Sequence, residues 1–148
     1  MQLRMKNYTV GFIFNAGLSR VALIHKNRPE WQKGKLNGIG GKMEEGETSS
    51  ACMVREVQEE TGLHTKLEQW IFLGTIARDE YDAVVDFYAM VHAGAPEAIA
   101  TQTDEQVEWC DARHLPETVL PNLPWLIAYA RDRLQNETKH TFVVQYEL

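Results

Sequence analysis

Apolar and polar positions along the chain follow two rhythms, one of strands and one of helices. Tyr8 to Phe14 and Arg20 to His25 are β-prone runs, and Asn15-Ala16-Gly17-Leu18-Ser19 between them is turn-forming, so the pair predicts a hairpin. Leu67 to Ala77 and Ala83 to His92 are a second pair of β-prone runs, and the polar Arg78 to Asp82 between them predicts antiparallel pairing. Gln106 to Cys110 reads as a short strand and Phe142 to Tyr146 as a last edge strand. Helical periodicity begins after Thr48, a suitable N-cap, and stops at Gly62. Ser49 to Thr61 then makes roughly three and a half turns. Ala51, Val54, Val57 and Thr61 fall on one side and Glu56, Glu59 and Glu60 on the other. A second helix carries Pro124 in its first turn and runs to about Gln135, with Leu123, Leu126, Ile127, Ala130 and Leu134 as its buried stripe. Lys26 to Lys42 and Ala93 to Thr103 read as loops. Strands, helix, strands, helix predict an α/β fold with a mixed sheet between helices.

Composition narrows the class. A chain of 148 residues suits a single domain over 1–148, and 44% apolar with 24% charged residues is ordinary for a water-soluble globular protein. The net charge of −6 excludes a large basic footprint for polymeric nucleic acid, while a small anion remains acceptable where metal and local cations receive it. The apolar run from Thr9 to Phe14 is too short to span a bilayer and suits a core strand better than a secretion signal. Two cysteines, Cys52 and Cys110, suggest no disulfide framework and a reducing compartment, with the cytoplasm as the default. His25, His64, His92, His114 and His140 show no paired metal spacing, and zinc or cysteine catalysis is not expected.

The chemistry concentrates between Gly41 and Leu63, where Glu44, Glu45, Glu47, Glu56, Glu59 and Glu60 lie close in sequence. Like charges at helical spacings i, i+4 destabilise a helix by a few tenths of a kcal/mol. Either the three helical glutamates form a solvated face or they gather to bind a hard divalent cation, which takes carboxylate oxygens. The preceding segment carries Lys26, Arg28, Lys33, Lys35 and Lys42 against the single acid Glu30. It reads either as a solvated loop that balances charge or as a surface that receives phosphate.

For the acidic face, the wider spacing favours the cation. Gly41, five residues, Glu47, seven residues, then Arg55-Glu56-Val57-Gln58-Glu59-Glu60-Thr61-Gly62-Leu63 resembles the Nudix box, GX5EX7REUXEEXGU with U a bulky apolar residue. Every fixed position is filled. The run Leu36-Asn37-Gly38-Ile39-Gly40-Gly41-Lys42 also resembles the WNGFGGK-like lead-in of the nucleotide-pool-cleaning, MutT-like branch. The resemblance implies an α/β/α sandwich and hydrolysis of a pyrophosphate bond in a nucleoside diphosphate linked to a group X. It implies Mg²⁺ or Mn²⁺ on Glu56, Glu59 and Glu60, joined by the backbone carbonyl near Gly40 or Gly41. It also implies that Arg55 orients Glu47, and that Glu59 or Glu60 accepts a proton.

A further acid from a later loop often completes such a site, and Glu105 or its neighbour Asp104 is the candidate here. Arg28 and Lys42 are candidates for phosphate. Trp31, Tyr81, Phe87 and Trp109 are candidates to stack on a base, with Trp109 and nearby Asp111 preferred. A nucleoside triphosphate is the leading substrate expectation, an oxidised dGTP among them, giving a monophosphate and pyrophosphate. ADP-ribose or a dinucleoside polyphosphate is the alternative. A non-catalytic Nudix-fold binding module would be expected to lose box acids, and none is lost. A Ca²⁺-stabilised structural domain finds no EF-hand pattern in support. The expected partner is a small nucleotide, without membrane or polymeric nucleic acid, and the expected assembly is a monomer or homodimer.

Overall fold

The computed structural model describes residues 5–147. Its strands are β1 (Lys6–Asn15), β2 (Arg20–His25), β3 (Leu36–Asn37), β4 (Ile39–Lys42), β5 (Ile71–Arg78), β6 (Ala83–His92), β7 (Val107–Asp111) and β8 (Phe142–Tyr146); its helices are α1 (Ser49–Thr61) and α2 (Leu123–Asn136). They form a mixed sheet in the order β3-β2-β1-β6-β5-β8, with β4 also on β1 and β7 also on β2. The hairpin β1–β2 and the pair β5–β6 are antiparallel, as their intervening turns predict. β1 runs parallel to β6 along its whole length, from Lys6 opposite Ala83 to Asn15 opposite His92. β8 lies parallel to β5 at the edge.

The alternation of side chains along β1 divides the core. Phe12 and Phe14 point to the face covered by α2, where they meet Leu73, Phe87, Leu123, Leu126 and Ile127. Ile13 points to the opposite face and joins Met53 and Val57 of α1 together with Trp70 and Met90. One helix on each face of a mixed sheet is the α/β/α sandwich expected from the resemblance. Burying each of these large side chains is worth about 1.5–3 kcal/mol, so two apolar layers hold the sheet between the helices. Among the described residues, no helix is long and apolar enough to cross a membrane.

Four details depart from the sequence pattern. The run Leu67 to Ala77 is not strand throughout: Leu67–Gln69 forms a 3₁₀ turn and β5 begins at Ile71. The inward face of α1 is Cys52, Met53, Val57 and Thr61, with Ala51 and Val54 only half-buried. The helix is rolled so that Met53 packs into the core beside Val57, which turns Glu56 and Glu60 towards β4 rather than towards open water. The segment Lys26–Lys42 is not loop throughout: it contains β3 and β4. Glycine-rich β4 has little intrinsic strand preference, yet its backbone presses onto β1, and a Cβ on Gly40 would lie 1.9 Å from the Thr9 carbonyl oxygen. In α2, Arg133 is buried and Leu134 only half-buried. The Arg133 guanidinium donates to the carbonyls of Thr138 (2.7 Å) and Phe72 (3.0 Å), which makes its burial tolerable.

Both ends of α1 are held as the sequence suggests. Thr48 Oγ1 accepts from the Ala51 N–H at 3.2 Å. Gly62 takes the left-handed conformation, φ 79°, and its N–H bonds the Gln58 carbonyl. Gly62→Ala forces a side chain into that conformation, so urea denaturation should show a loss of about 1 kcal/mol.

Candidate active site

With Met53 and Val57 buried, α1 turns its glutamates along the rim of β4. Arg55 organises them. Its Nε and Nη2 bond the two oxygens of Glu47 at 2.7 and 2.9 Å, a bidentate fork. Its Nη1 reaches Glu56 at 2.8 Å and Glu59 at 3.2 Å, and Nη2 also donates to the Lys42 carbonyl at 3.1 Å. Glu47 accepts a further bond from the Glu44 N–H at 3.0 Å. The Arg55 bonds, with help from that backbone N–H, hold the Glu47 pKa down to about 2.

Glu60 is in the opposite condition. It sits against β4 with the Gly40 N–H 3.3 Å from its carboxylate. Burial, reinforced by the neighbouring Glu56 charge, pushes its pKa up to about 8. Burial also raises that of Glu56, although Arg55 opposes the shift. A Cβ on Gly41 would fall 2.5 Å from the Glu56 carboxylate, so any larger residue there would displace that carboxylate.

Glu105, on the segment leading into β7, faces these acids from across a cleft. It is 4% exposed, and its oxygens accept from Lys26 Nζ (3.1 Å), the Asn27 N–H (2.6 Å) and the Arg28 N–H (3.4 Å). Burial alone would raise its pKa, but these donors bring it below the ordinary carboxylate range. Asp104 next to it is exposed and paired with the Arg28 guanidinium.

The cleft measures about 820 Å³. Glu56, Glu60, Gly41, Lys42, Arg28 and Glu105 all line it, so six of the candidate residues meet in one space. Trp31, Tyr81 and Phe87 line it too. Arg55, Glu47 and Glu59 stand behind the acidic wall and act on the cleft through Glu56. Trp109 and Asp111 are not at the cleft, contrary to the sequence expectation. β7 lies beyond β2, where Trp109 packs on the α1 side of the core and donates its indole N–H to the Pro96 carbonyl at 3.2 Å. Asp111 closes a turn by accepting from the N–H groups of Arg113 and His114.

A sequence profile of the NUDIX domain matches residues 5–132. The chain belongs to the Nudix hydrolase family. Solved structures with the same fold include MutT described for Aliivibrio salmonicida and Vibrio cholerae, with 23% identity, TM-score 0.63, and 85% of this chain and 98% of that one covered. A NUDIX hydrolase from Nitrosomonas europaea superposes with TM-score 0.77 at 13% identity, over 98% and 80% of the two chains. The NUDIX domain of Shewanella oneidensis NrtR, complexed with ADP ribose, does so with TM-score 0.68 at 18% identity, over 90% of each chain. At these identities the likeness is one of fold, and the chemistry of this Nudix hydrolase must be read from its own residues.

Those residues suit a hard divalent cation. The groups lining the cleft there are carboxylates with the Gly41 backbone beside them, and burial raises the pKa values of Glu56 and Glu60, a cost of ionisation that a dication would offset. Among the described residues no three acids, histidines or cysteines stand in a ready ligand cage. Arg55 draws Glu56 and Glu59 to itself, and Glu60 rests on the Gly40 N–H. Loading the site therefore requires small side-chain rotations.

The cleft residues that escape the sequence reading include Tyr8, Asn37, Arg78 and Asn122. Asn37 lies inside the run that resembles the MutT-like lead-in and could have been singled out there. Tyr8 is disguised as a core strand residue, and Arg78 and Asn122 come from segments whose approach to the cleft only folding creates.

Glu60 must shed a proton to bind a cation. Mn²⁺ or Mg²⁺ added to EDTA-treated protein should therefore raise Tm, and by more at pH 8.5 than at pH 6. Gly41→Ala, which displaces the Glu56 carboxylate, should shrink that rise at both pH values in a differential scanning measurement.

Proposed function

We propose that this Nudix hydrolase cleaves a nucleoside triphosphate, oxidised purine nucleotides among them, to a monophosphate and pyrophosphate with Mg²⁺ or Mn²⁺. One observation carries the reading: a single cleft is lined by the carboxylates of Glu56 and Glu60, by Lys26, Arg28 and Lys42, and by the rings of Trp31, Tyr81 and Phe87. Phosphates belong between the acidic helix and Lys26, Arg28 and Lys42, and the base belongs among Trp31, Tyr81 and Phe87.

Glu56, Glu60, Glu105 and the Gly41 carbonyl would hold the cation, with Glu59 within reach on the same helix. The cation, when bound, neutralises phosphate oxygens and makes a bound water more acidic. Arg55 keeps Glu47 ionised and fixed, and through the same guanidinium it sets the rotamer of Glu56. Glu60 is the better proton acceptor of the two box candidates, because it lines the cleft while Glu59 is exposed behind it. Lys26, held by Glu105, keeps a cation beside the phosphates and offsets the charge of Glu60. Two buried free cysteines support a reducing, cytoplasmic setting for a single domain acting as a monomer or homodimer.

ADP-ribose or a dinucleoside polyphosphate is the second reading. A recess of about 730 Å³ adjoins the cleft and would accept a second bulky end. The Nudix domain of NrtR, similar in fold, was solved with ADP ribose.

Hydrolysis of dNTPs, 8-oxo-dGTP, ADP-ribose and a dinucleoside tetraphosphate should be followed by chromatographic separation of the nucleotide products, with and without Mg²⁺, and pyrophosphate release should be measured for the triphosphates. A triphosphate is expected to show the highest kcat/KM, and a tenfold preference for ADP-ribose over every triphosphate would reverse the ranking. Glu60→Gln keeps shape but loses the proton acceptor and a charge, so kcat should fall by 100-fold or more with Tm retained. Arg55→Lys cannot form the planar fork on Glu47 and should lower kcat at least tenfold, although the charge is conserved.

A further inference from the structure

Two aromatic side chains on separate turns meet at the mouth of the cleft. Trp31 stands on the single 3₁₀ turn Glu30–Gln32 between β2 and β3, and Tyr81 on the turn Asp79–Tyr81 between β5 and β6. Their ring planes are 3° apart with centroids separated by 5.7 Å. Both rings remain wet: Trp31 is 53% exposed and Tyr81 44%. Stacking here does not serve burial. The pair forms the partition between the cleft and the adjoining recess, and both spaces are lined by Trp31, Tyr81 and Arg78.

We propose that Trp31 and Tyr81 are the two jaws of a clasp that takes the substrate's nucleobase between them. This rests on the reading of the cleft as a nucleotide site and deepens it, by naming the residues that grip the base. Parallel rings already set the plane into which a flat group fits. A base sandwiched between two rings needs two face contacts of about 3.5 Å each, so the rings, now stacked on each other, must part by about one ring thickness, roughly 3.5 Å, to admit it.

The turns that carry the rings are pinned. Glu105 accepts from the N–H groups of Asn27 and Arg28 just ahead of the Trp31 turn, and Asn37 Nδ2 donates to Gln32 just after it. On the other jaw, Gln145 donates to Asp79 at 2.7 Å, and the Lys6 N–H bonds the Asp82 carbonyl at 2.7 Å. Opening is therefore a matter of side-chain rotation on fixed backbone. Arg78, whose guanidinium lies 4.2 Å above the Tyr146 ring, lines the same two spaces and brings a cation near the clasp. The indole matches the area of a bicyclic purine better than that of a pyrimidine. Stacking on two faces reads no hydrogen-bonding edge, so the clasp sets affinity for purines as a class.

The full chain in EDTA should be titrated with GMP and AMP while tryptophan fluorescence is followed, in wild type, Trp31→Leu, Tyr81→Leu and Tyr81→Phe. Wild type and Tyr81→Phe should bind alike. Tyr81→Leu should bind at least tenfold more weakly, and Trp31→Leu should lose the quench as well as the affinity; removing one stacking face accounts for changes of this order. With Mg²⁺, the preference for GTP over inorganic tripolyphosphate should fall tenfold in each leucine variant, through KM rather than kcat. Unchanged GMP affinity in both leucine variants overturns the clasp, as does an equal rise of KM for GTP and tripolyphosphate. A Trp31-dependent quench in a protein that hydrolyses no anhydride would sustain the clasp and remove the hydrolase reading. Hydrolysis of nucleotides with no loss in either leucine variant would do the reverse.

Discussion

Arg55 is the constraint on which the site depends. One guanidinium engages Glu47, Glu56 and Glu59, while Glu60 remains buried without it. At separations of about 4 Å, unpaired like charges near a protein surface repel by several kcal/mol, so the acidic face of α1 needs a fixed counter-charge. A planar fork supplies it and also dictates where each carboxylate points, which a lysine could not do. The charge left over, on Glu56 and Glu60, faces the cleft and is the charge a divalent cation is suited to meet.

The second constraint is the closeness of backbone to backbone at β4. Gly40 lies against the Thr9 backbone at a distance that admits no Cβ, and Gly41 lies against the Glu56 carboxylate, which a Cβ would displace. The strand is thereby thin enough for α1 to bring its glutamates down to the sheet. Packing and chemistry meet here: Met53 and Val57 fix the roll of the helix, and the roll fixes which acids enter the cleft.

Glu105 links the two walls. It braces the turn that follows β2 through backbone N–H groups and holds Lys26 within the same cluster of charges as Glu60. A ligand that draws on Glu105 therefore also bears on the turn that carries Trp31. The acidic wall and the aromatic mouth of the cleft are mechanically connected through one buried carboxylate.

Resemblance to the Nudix box pointed to the Arg55–Glu47 pair, and the sequence by itself determined the long strand runs, both caps of α1, the pairings within the two hairpins and the spacing of the acidic box. These are local properties, written in periodicity, turn residues and fixed spacing. It did not determine that β4 is a strand, because glycine carries no side-chain signal and its pairing with β1 comes from contact with distant residues. It preferred Trp109 and Asp111 for the base, whereas folding places β7 beyond β2 and delivers Trp31 and Tyr81 to the cleft mouth instead. Those two rings belong to turns far apart in the chain, and each alone looks like an exposed surface residue. Only the sheet order, which brings β5–β6 beside β1 and folds the segment after β2 back over it, sets the rings face to face.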